Sequence, residues 1–239
     1  MRAFTSCRSG GFSRSPFDEL NIAQHVGDDA IKVEKNRQLL PNFHNFAWLN
    51  QTHSNICVEY VSGATKHQNK IQADACFTEV KHQVCAVMTA DCLPILLCDQ
   101  QGTCVAAVHA GWRGLADDII ENTVQRMLVD PASLMAWIGP AISQANFEVG
   151  IEVKAAFAQY PQAFIKKHKV NTDKYFADLV LIAKVKLAAL GINQVFASQH
   201  CTYAEESLFF SHRRAVHNAN HQTNTPVTTG RMVSAIYLT

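Results

Sequence analysis

Three side chains carry the clearest chemical potential in this 239-residue chain: His53, Cys92 and His109. One thiolate and two imidazoles make three metal ligands. The count is informative, because a structural zinc closes its shell with four protein ligands, whereas a catalytic zinc keeps three and reserves a position for water or substrate. The set therefore predicts a zinc-dependent enzyme. The separations, 39 residues from His53 to Cys92 and 17 on to His109, exclude a local zinc finger, and the chain has no Cys-X-X-Cys pair. The same residues allow a second chemistry, with Cys92 as nucleophile and His109 as its base in a metal-free amidase or hydrolase. A non-catalytic binding module is disfavoured, because an open three-ligand site suits a purely structural role poorly.

Each ligand lies in a short segment flanked by β-type sequence: Gln51-Thr52-His53-Ser54, Thr89-Ala90-Asp91-Cys92-Leu93-Pro94 and Val108-His109-Ala110-Gly111-Trp112-Arg113-Gly114. Apolar runs at 56–61, 84–88, 95–98 and 103–108 place the three at strand ends, and the ends of one sheet can converge from distant points in sequence. Further strands are predicted at 134–138, 194–197 and 232–238. Helices are predicted at 117–128, where Ile120, Val124 and Met127 share a face behind Asp117 and Asp118, at 151–159, and at 175–190 with Gly191 as a left-handed stop. Three strand runs within 84–108 leave no room for crossover helices. The fold class predicted is α/β, with mixed β-sheets flanked by helices in a single domain spanning 1–239.

Composition excludes several function classes. A 48% hydrophobic content supports a sizeable core, and 21 basic against 20 acidic residues create no field for nucleic acid or an anionic membrane. Any phosphate must be caught locally. No apolar run approaches membrane-spanning length, and residues 1–5 lead into polar and glycine residues without a secretory apolar segment, so the expected address is cytoplasmic. The polar stretches at 8–15 and 217–229 are too short to be linkers. Of the eight cysteines, Cys57, Cys76, Cys85, Cys98 and Cys104 sit in or beside apolar strand-like runs and are expected as buried reduced thiols, while Cys7 and Cys201 are assigned no role.

Substrate contacts are sought among the cations. Gly111-Trp112-Arg113-Gly114 joins the His109 strand to a helix, and its backbone N–H groups together with Arg113 suit an anion. Ser211-His212-Arg213-Arg214 offers a paired-arginine clamp for phosphate or carboxylate, and Arg8 is a third candidate. Two carboxylates are candidates for proton transfer. Asp91 precedes the Cys ligand and doubles as a possible orienter of it, and Glu148 lies between Phe147 and Val149, an apolar setting that suits acid–base work. Asp74 is held as a substrate contact. Ser54 beside His53 suggests a Ser-His-Asp triad only weakly.

The blocks QTHS (51–54), TADCLPIL (89–96), AAVHAGWRG (106–114), IGPAIS with FEVG (138–150), CTY (201–203) and FFSHRR (209–214) resemble the polyphenol oxidase (laccase-domain) family. That family is also described as purine nucleoside phosphorylases and as the peptidoglycan editing factor family. Arg8-Ser9-Gly10-Gly11, His25-Val26-Gly27-Asp28-Asp29 and Asn36-Arg37 extend the resemblance to the N-terminus. It implies zinc on His53, Cys92 and His109, and an α/β layered sandwich of two packed sheets. It further implies phosphorolysis of adenosine, inosine, guanosine or methylthioadenosine to free base and sugar 1-phosphate, with adenosine deamination as an additional activity. The partners implied are a purine nucleoside and phosphate. Copper-dependent phenol oxidation, which the older family name suggests, is disfavoured because a multicopper enzyme needs several metal sites and this chain has only 11 histidines.

Overall fold

Strands whose side chains are apolar on both faces are stable only in sheets covered on both sides, and this chain meets that demand by stacking two of them. The structure, a computed structural model, describes residues 1–61, 71–166, 173–219 and 227–239. Part of the polar stretch 217–229, residues 220–226, lies outside the described residues. A four-stranded sheet has the order β1 (Arg2–Thr5), β13 (Met232–Tyr237), β5 (Val84–Thr89), β2 (Phe46–Ala47). A six-stranded sheet runs β12 (Gln194–Ala197), β8 (Leu134–Ile138), β6 (Leu93–Asp99), β7 (Val105–Ala110), β4 (Ala75–Thr78), β3 (Cys57–Glu59). Both are mixed: β2 is parallel to β5, β3 to β4 and β8 to β12, and the other pairs in these two sheets are antiparallel.

The two sheets pack face to face on a core that includes Cys85, Val87 and Ile236 from one and Cys76, Leu96 and Val105 from the other. Helices α3 (Ile119–Met127) and α5 (Leu179–Ala189) cover the far side of the larger sheet, burying Ile120, Val124, Ile182 and Leu187 against Ile95, Leu97 and Val108. Phe17, Ile22, Leu40 and Trp48 cover the far side of the smaller sheet. A third, three-stranded sheet of β9 (Glu148–Val149), β10 (Phe164–Lys166) and β11 (Tyr175–Ala177) lies beside the helical layer. The expected α/β class with mixed sheets and flanking helices is the observed one. All eight cysteines are free, and the five expected to be buried are buried.

Several boundaries differ from expectation, each for a local reason. The helix expected at 175–190 begins only at Leu179: Tyr175 and Phe176 pair with Val149 and Glu148 as strand, and Asp178 caps the helix by accepting from the Leu181 N–H at 2.8 Å. The helix expected at 117–128 is preceded by a separate turn, α2 (Trp112–Ala116), and Asp118 takes a left-handed φ of 65° at the junction. Asp118 and Glu121 then bind the buried Lys186 of α5 at 2.6 and 2.7 Å. The helix expected at 151–159 is α4 (Ile151–Ala156), cut short ahead of Pro161, which disfavours helical backbone at Tyr160. Finally, Asp99 accepts from the backbone of Thr103 and Cys104 at 2.7 and 2.8 Å, so those residues form a turn and the strand shifts to take in His109.

Gly191 does occupy a left-handed position, φ 88°, immediately beyond α5, with open space where a Cβ would stand. Gly191→Ala should therefore cost backbone conformational energy alone, about 1–2 kcal/mol. Thermal unfolding should shift down by several degrees with activity at permissive temperature unchanged. An unshifted transition would show that the left-handed cap contributes nothing.

Candidate metal centre

Register brings the three ligands together. Pro94 of β6 stands opposite His109 of β7, so Cys92, just ahead of β6, lies beside the exit of β7. Val108 pairs with Ala75 of β4, and Ala75 with Cys57 of β3, which carries the loop bearing His53 to the same end of the sheet. The ligand atoms of His53, Cys92 and His109 lie within 4.8 Å of one another, and among the described residues this is the one group of three or more potential ligands so arranged. The imidazoles are 4.9 Å apart and nearly perpendicular at 71°. His109 is buried, Cys92 half-buried and His53 exposed, so the centre is closed on the protein side and open on the His53 side.

One carboxylate organises the group. Asp74, fully buried at the entrance to β4, bonds His109 Nδ1 at 2.7 Å and also accepts from the N–H groups of Thr52 and His53 at 3.1 Å, the Ser54 N–H at 2.6 Å and the Ser54 hydroxyl at 2.7 Å. Its own carbonyl accepts the His109 N–H at 2.7 Å. With Nδ1 engaged, Nε2 of His109 is left for a metal. The same carboxylate holds His53 at a left-handed φ of 60°, which a non-glycine residue adopts only when its surroundings impose it. Burial pushes the Asp74 carboxyl up, but the His109 and Ser54 hydrogen bonds and the His109 charge more than offset it and hold it at about 2. Asp74 is thus an orienter of ligands and not the substrate contact expected. Ser54 donates to this carboxylate and not to an imidazole, which removes the Ser-His-Asp triad. Gln51 anchors the same loop to the main chain of Met88 through two 2.8 Å bonds.

The donor set suits a divalent metal. Burial raises the Cys92 thiol, yet the His109 charge and hydrogen bonds from both imidazoles bring it down to about 6. Burial conversely lowers His109, and Cys92 with Asp74 lifts it to about 9. Each of the two thus favours the charged form of the other. A cation that displaces the imidazolium proton meets a thiolate already formed. Gly111 makes this approach possible, since a Cβ there would stand 3.0 Å from His53 Cδ2 and 3.1 Å from Cys92 Sγ.

A cavity of about 120 Å³ adjoins Cys92, lined among others by Asp91, Trp112, Phe147, His212 and Arg213. Asp91, at φ 93°, has both carboxylate oxygens engaged, by the Thr202 hydroxyl and the Arg213 N–H at 2.7 Å each, and so ties the Cys92 turn to α6 (His212–Asn218). Arg213 donates through Nη1 to the Glu148 carbonyl at 2.7 Å and lies over the Phe147 ring. Glu148 is half-buried in β9. Arg113 is exposed and stacked on Trp112 at 4.4 Å. Ser211, Arg214 and Arg8 fall elsewhere, around a larger cavity of about 710 Å³ that contains none of the three ligands. There Ser211 caps α6, Arg214 donates to the carbonyls of Thr202, Tyr203 and Phe209, and Arg8 is paired with Asp18. Of the two cavities, the smaller is the one that a member of the ligand trio, Cys92, lines. Gln51 and His212 stand in the QTHS and FFSHRR blocks with no individual role legible there, and the orienting role of Asp74 has one signal, a carboxylate heading a strand that pairs with the His109 strand.

Two substitutions test this construction. Asp74→Asn should weaken Zn²⁺ or Cu²⁺ retention by roughly 10–100-fold in a chelator competition, the usual effect of removing a ligand's hydrogen-bond partner. Retention equal to the parent would refute the orienting role. Gly111→Ala should crowd His53 and Cys92, with an overpacking cost of about 1–3 kcal/mol appearing as weaker metal binding and not as an altered fold. A Gly111→Ala protein with parental metal affinity would mean that the close approach is dispensable.

The family model for multi-copper polyphenol oxidoreductase laccase matches residues 2–239. Purine nucleoside phosphorylase YfiH of Escherichia coli is 42% identical over 246 residues, covering 100% of this chain and 94% of that protein. Purine nucleoside phosphorylase of Haemophilus influenzae is 39% identical over 244 residues, covering 99% of this chain and 94% of the relative. Among solved structures, Neisseria meningitidis protein NMB0706 is 37% identical with a TM-score of 0.86, covering 100% of this chain and 99% of that one. YlmD of Geobacillus stearothermophilus is 28% identical with a TM-score of 0.85, covering 99% and 91%. With its sheets and nearly its whole length matched, the chain belongs to the polyphenol oxidoreductase laccase family that includes the YfiH proteins.

Proposed function

We propose that the protein is a zinc-dependent purine nucleoside phosphorylase, converting adenosine, inosine, guanosine or methylthioadenosine with phosphate into free base and sugar 1-phosphate, and that it also deaminates adenosine. The observation that carries the reading is the open His53–Cys92–His109 set, in a chain whose full-length relatives bear the name purine nucleoside phosphorylase. When bound, zinc supplies Lewis-acid polarisation and a lowered pKa for a bound water, the latter being what deamination requires. The chain's own groups do the rest. Asp74 keeps His109 oriented, Trp112 and Phe147 provide apolar walls against which a purine can lie, Arg213 is the cation lining the same cavity, and Arg113 stands exposed on the adjoining Trp112 ring. In phosphorolysis a phosphate oxygen forms the new bond to the sugar carbon as the bond to the purine nitrogen breaks, and the purine leaves with a proton, whose donor we assign to Glu148. Free thiols throughout accord with a cytoplasmic setting, and no helix among the described residues is long and apolar enough to cross a membrane.

A second reading is favoured by one observation: Cys92 Sγ and a His109 ring nitrogen lie within 4.8 Å of each other with His109 Nδ1 bonded to Asp74, which is also the arrangement of a Cys-His hydrolase. Metal dependence separates the two. Metal-stripped protein should neither release base nor form inosine, and zinc should restore both, with base and sugar 1-phosphate appearing only when phosphate is present. Replacement of His53, Cys92 or His109 by Ala should lower bound zinc and slow turnover about 10²–10⁴-fold, the several kcal/mol that a catalytic metal supplies. Mass spectrometry of products and elemental analysis of each variant are the measurements. Full activity in chelator with rapid alkylation of Cys92 would replace this reading by the hydrolase, and phenol oxidation restored by copper alone would replace it by the oxidase.

A further inference from the structure

Three ligands define three separations, and two of these are fixed by contacts already described. Cys92 is set against His109 by the register of β6 and β7, and His53 is set against His109 by the Asp74 carboxylate. The third separation, from His53 to Cys92, needs a tie of its own. Packing does not supply it, because Thr52 and His53 are exposed to solvent. Gln51 does: its Nε2 donates to the Met88 carbonyl and its Oε1 accepts the Met88 N–H, each at 2.8 Å. Met88 is buried in β5, the strand that runs through Thr89 into the Cys92 turn. Ligand side chains apart, this pair is the only hydrogen bonding among the described residues between 50–54 and 88–92.

The path of the main chain explains why a side chain has to do this. β2 runs parallel to β5 with Phe46 opposite Val84 and Ala47 opposite Cys85, and that register continued would bring Asn50 beside Met88. The chain leaves the smaller sheet first. Asn50 instead forms a parallel bridge with Gln72, its N–H donating to the Ile71 carbonyl at 2.9 Å and its carbonyl accepting the Ala73 N–H at 3.3 Å. Asn50 thereby follows the segment that leads through Asp74 into β4 of the larger sheet. At Met88 the Gln51 amide stands where the next rung of the β2–β5 ladder would be. A carboxamide suits that place, because one planar group carries both a donor and an acceptor, as a peptide group does. The His53 loop is therefore held from both sheets, through Asp74 on one side and Gln51 on the other.

We infer that Gln51 is a positioning residue that sets the separation of His53 from Cys92, and through it the fit of the trio to a metal ion. It acts on His53 alone, since Cys92 and His109 keep their register without it. The inference rests on the trio being a metal centre and not on the phosphorylase reading.

The test titrates full-length, metal-stripped protein with Co²⁺, which reports both affinity and, through its ligand-field absorption bands, the arrangement of the ligands. Gln51→Met keeps the length of the side chain and removes both bonds; Gln51→Asn keeps the amide and withdraws it by one methylene. Each should bind Co²⁺ about tenfold more weakly, within what two neutral hydrogen bonds supply, and with displaced bands. The deciding comparison is a double-mutant cycle. In a His53→Ala background Gln51→Met should cost no further affinity, because the ligand it positions is gone. A loss as large there as in the parent would overturn the inference, and so would parental affinity and bands in both single variants. Thermal unfolding shifted down with unmoved bands would overturn it as well, leaving Gln51 a support of the fold only. Parental Co²⁺ binding by His53→Ala would remove the ligand assignment itself and this role with it. The expected cycle in a protein with no phosphorolytic turnover would uphold the role and remove the phosphorylase reading instead.

Discussion

The bond between the Asp74 carboxylate and His109 Nδ1 is the interaction on which the rest of the site depends. A buried carboxylate is costly unless its lone pairs are all engaged, and Asp74 meets that requirement with one imidazole, three backbone N–H groups and one hydroxyl. Satisfying the charge and building the site are the same event. The three N–H groups belong to the loop that carries His53, so the carboxylate fixes the position of one ligand while it selects the tautomer of another. The 2.7 Å bond from the His109 N–H to the Asp74 carbonyl adds main-chain rigidity to the side-chain link.

A second carboxylate plays a parallel part for the third ligand. Asp91 spans from the Cys92 turn to Thr202 and to the start of α6, so the segment bearing Cys92 is braced against the segment bearing His212 and Arg213. The two braces differ in setting. Asp74 lies at the entrance to β4 of the larger sheet, where it is paired with the His109 imidazole. Asp91 lies at its margin, where neutral donors suffice. Between them they hold a ligand trio open on one side, which is the geometric condition for a metal to meet a substrate.

The sandwich explains why such a site can be held stiffly. Strands β5, β6 and β7 are buried along their whole length; β6 and β7 send side chains into the cores on either side of the larger sheet, and β5 of the smaller sheet shares the core between the two. Packed interiors change shape little, so the end of that sheet is a platform and not a hinge. The buried cysteines take part in this as small apolar side chains; burial pushes Cys57 and Cys104 up to about 12, far from the reactive range that Cys92 occupies.

Sequence by itself determined the ligand trio, the mixed-sheet class and the central strands, because long apolar runs and unusual residue types in turn-rich segments leave few physical alternatives. It also carried the Gly191 stop but not the Asp178 cap, since local spacing cannot say which of two neighbouring elements a Tyr-Phe-Ala segment will join. Tertiary structure alone decided which carboxylate serves which ligand. Asp74 and His109 are 35 residues apart, and their bond exists only because β4 and β7 pair with Ala75 opposite Val108. The same holds for the arginines: Arg8, Arg213 and Arg214 are one residue type with no distinguishing local signal, and what places Arg213 at the cavity beside Cys92 and the other two away from it is the set of carbonyls and carboxylates that folding brings within hydrogen-bond reach. Register and long-range packing supply that information, and neither is written in any short stretch of chain.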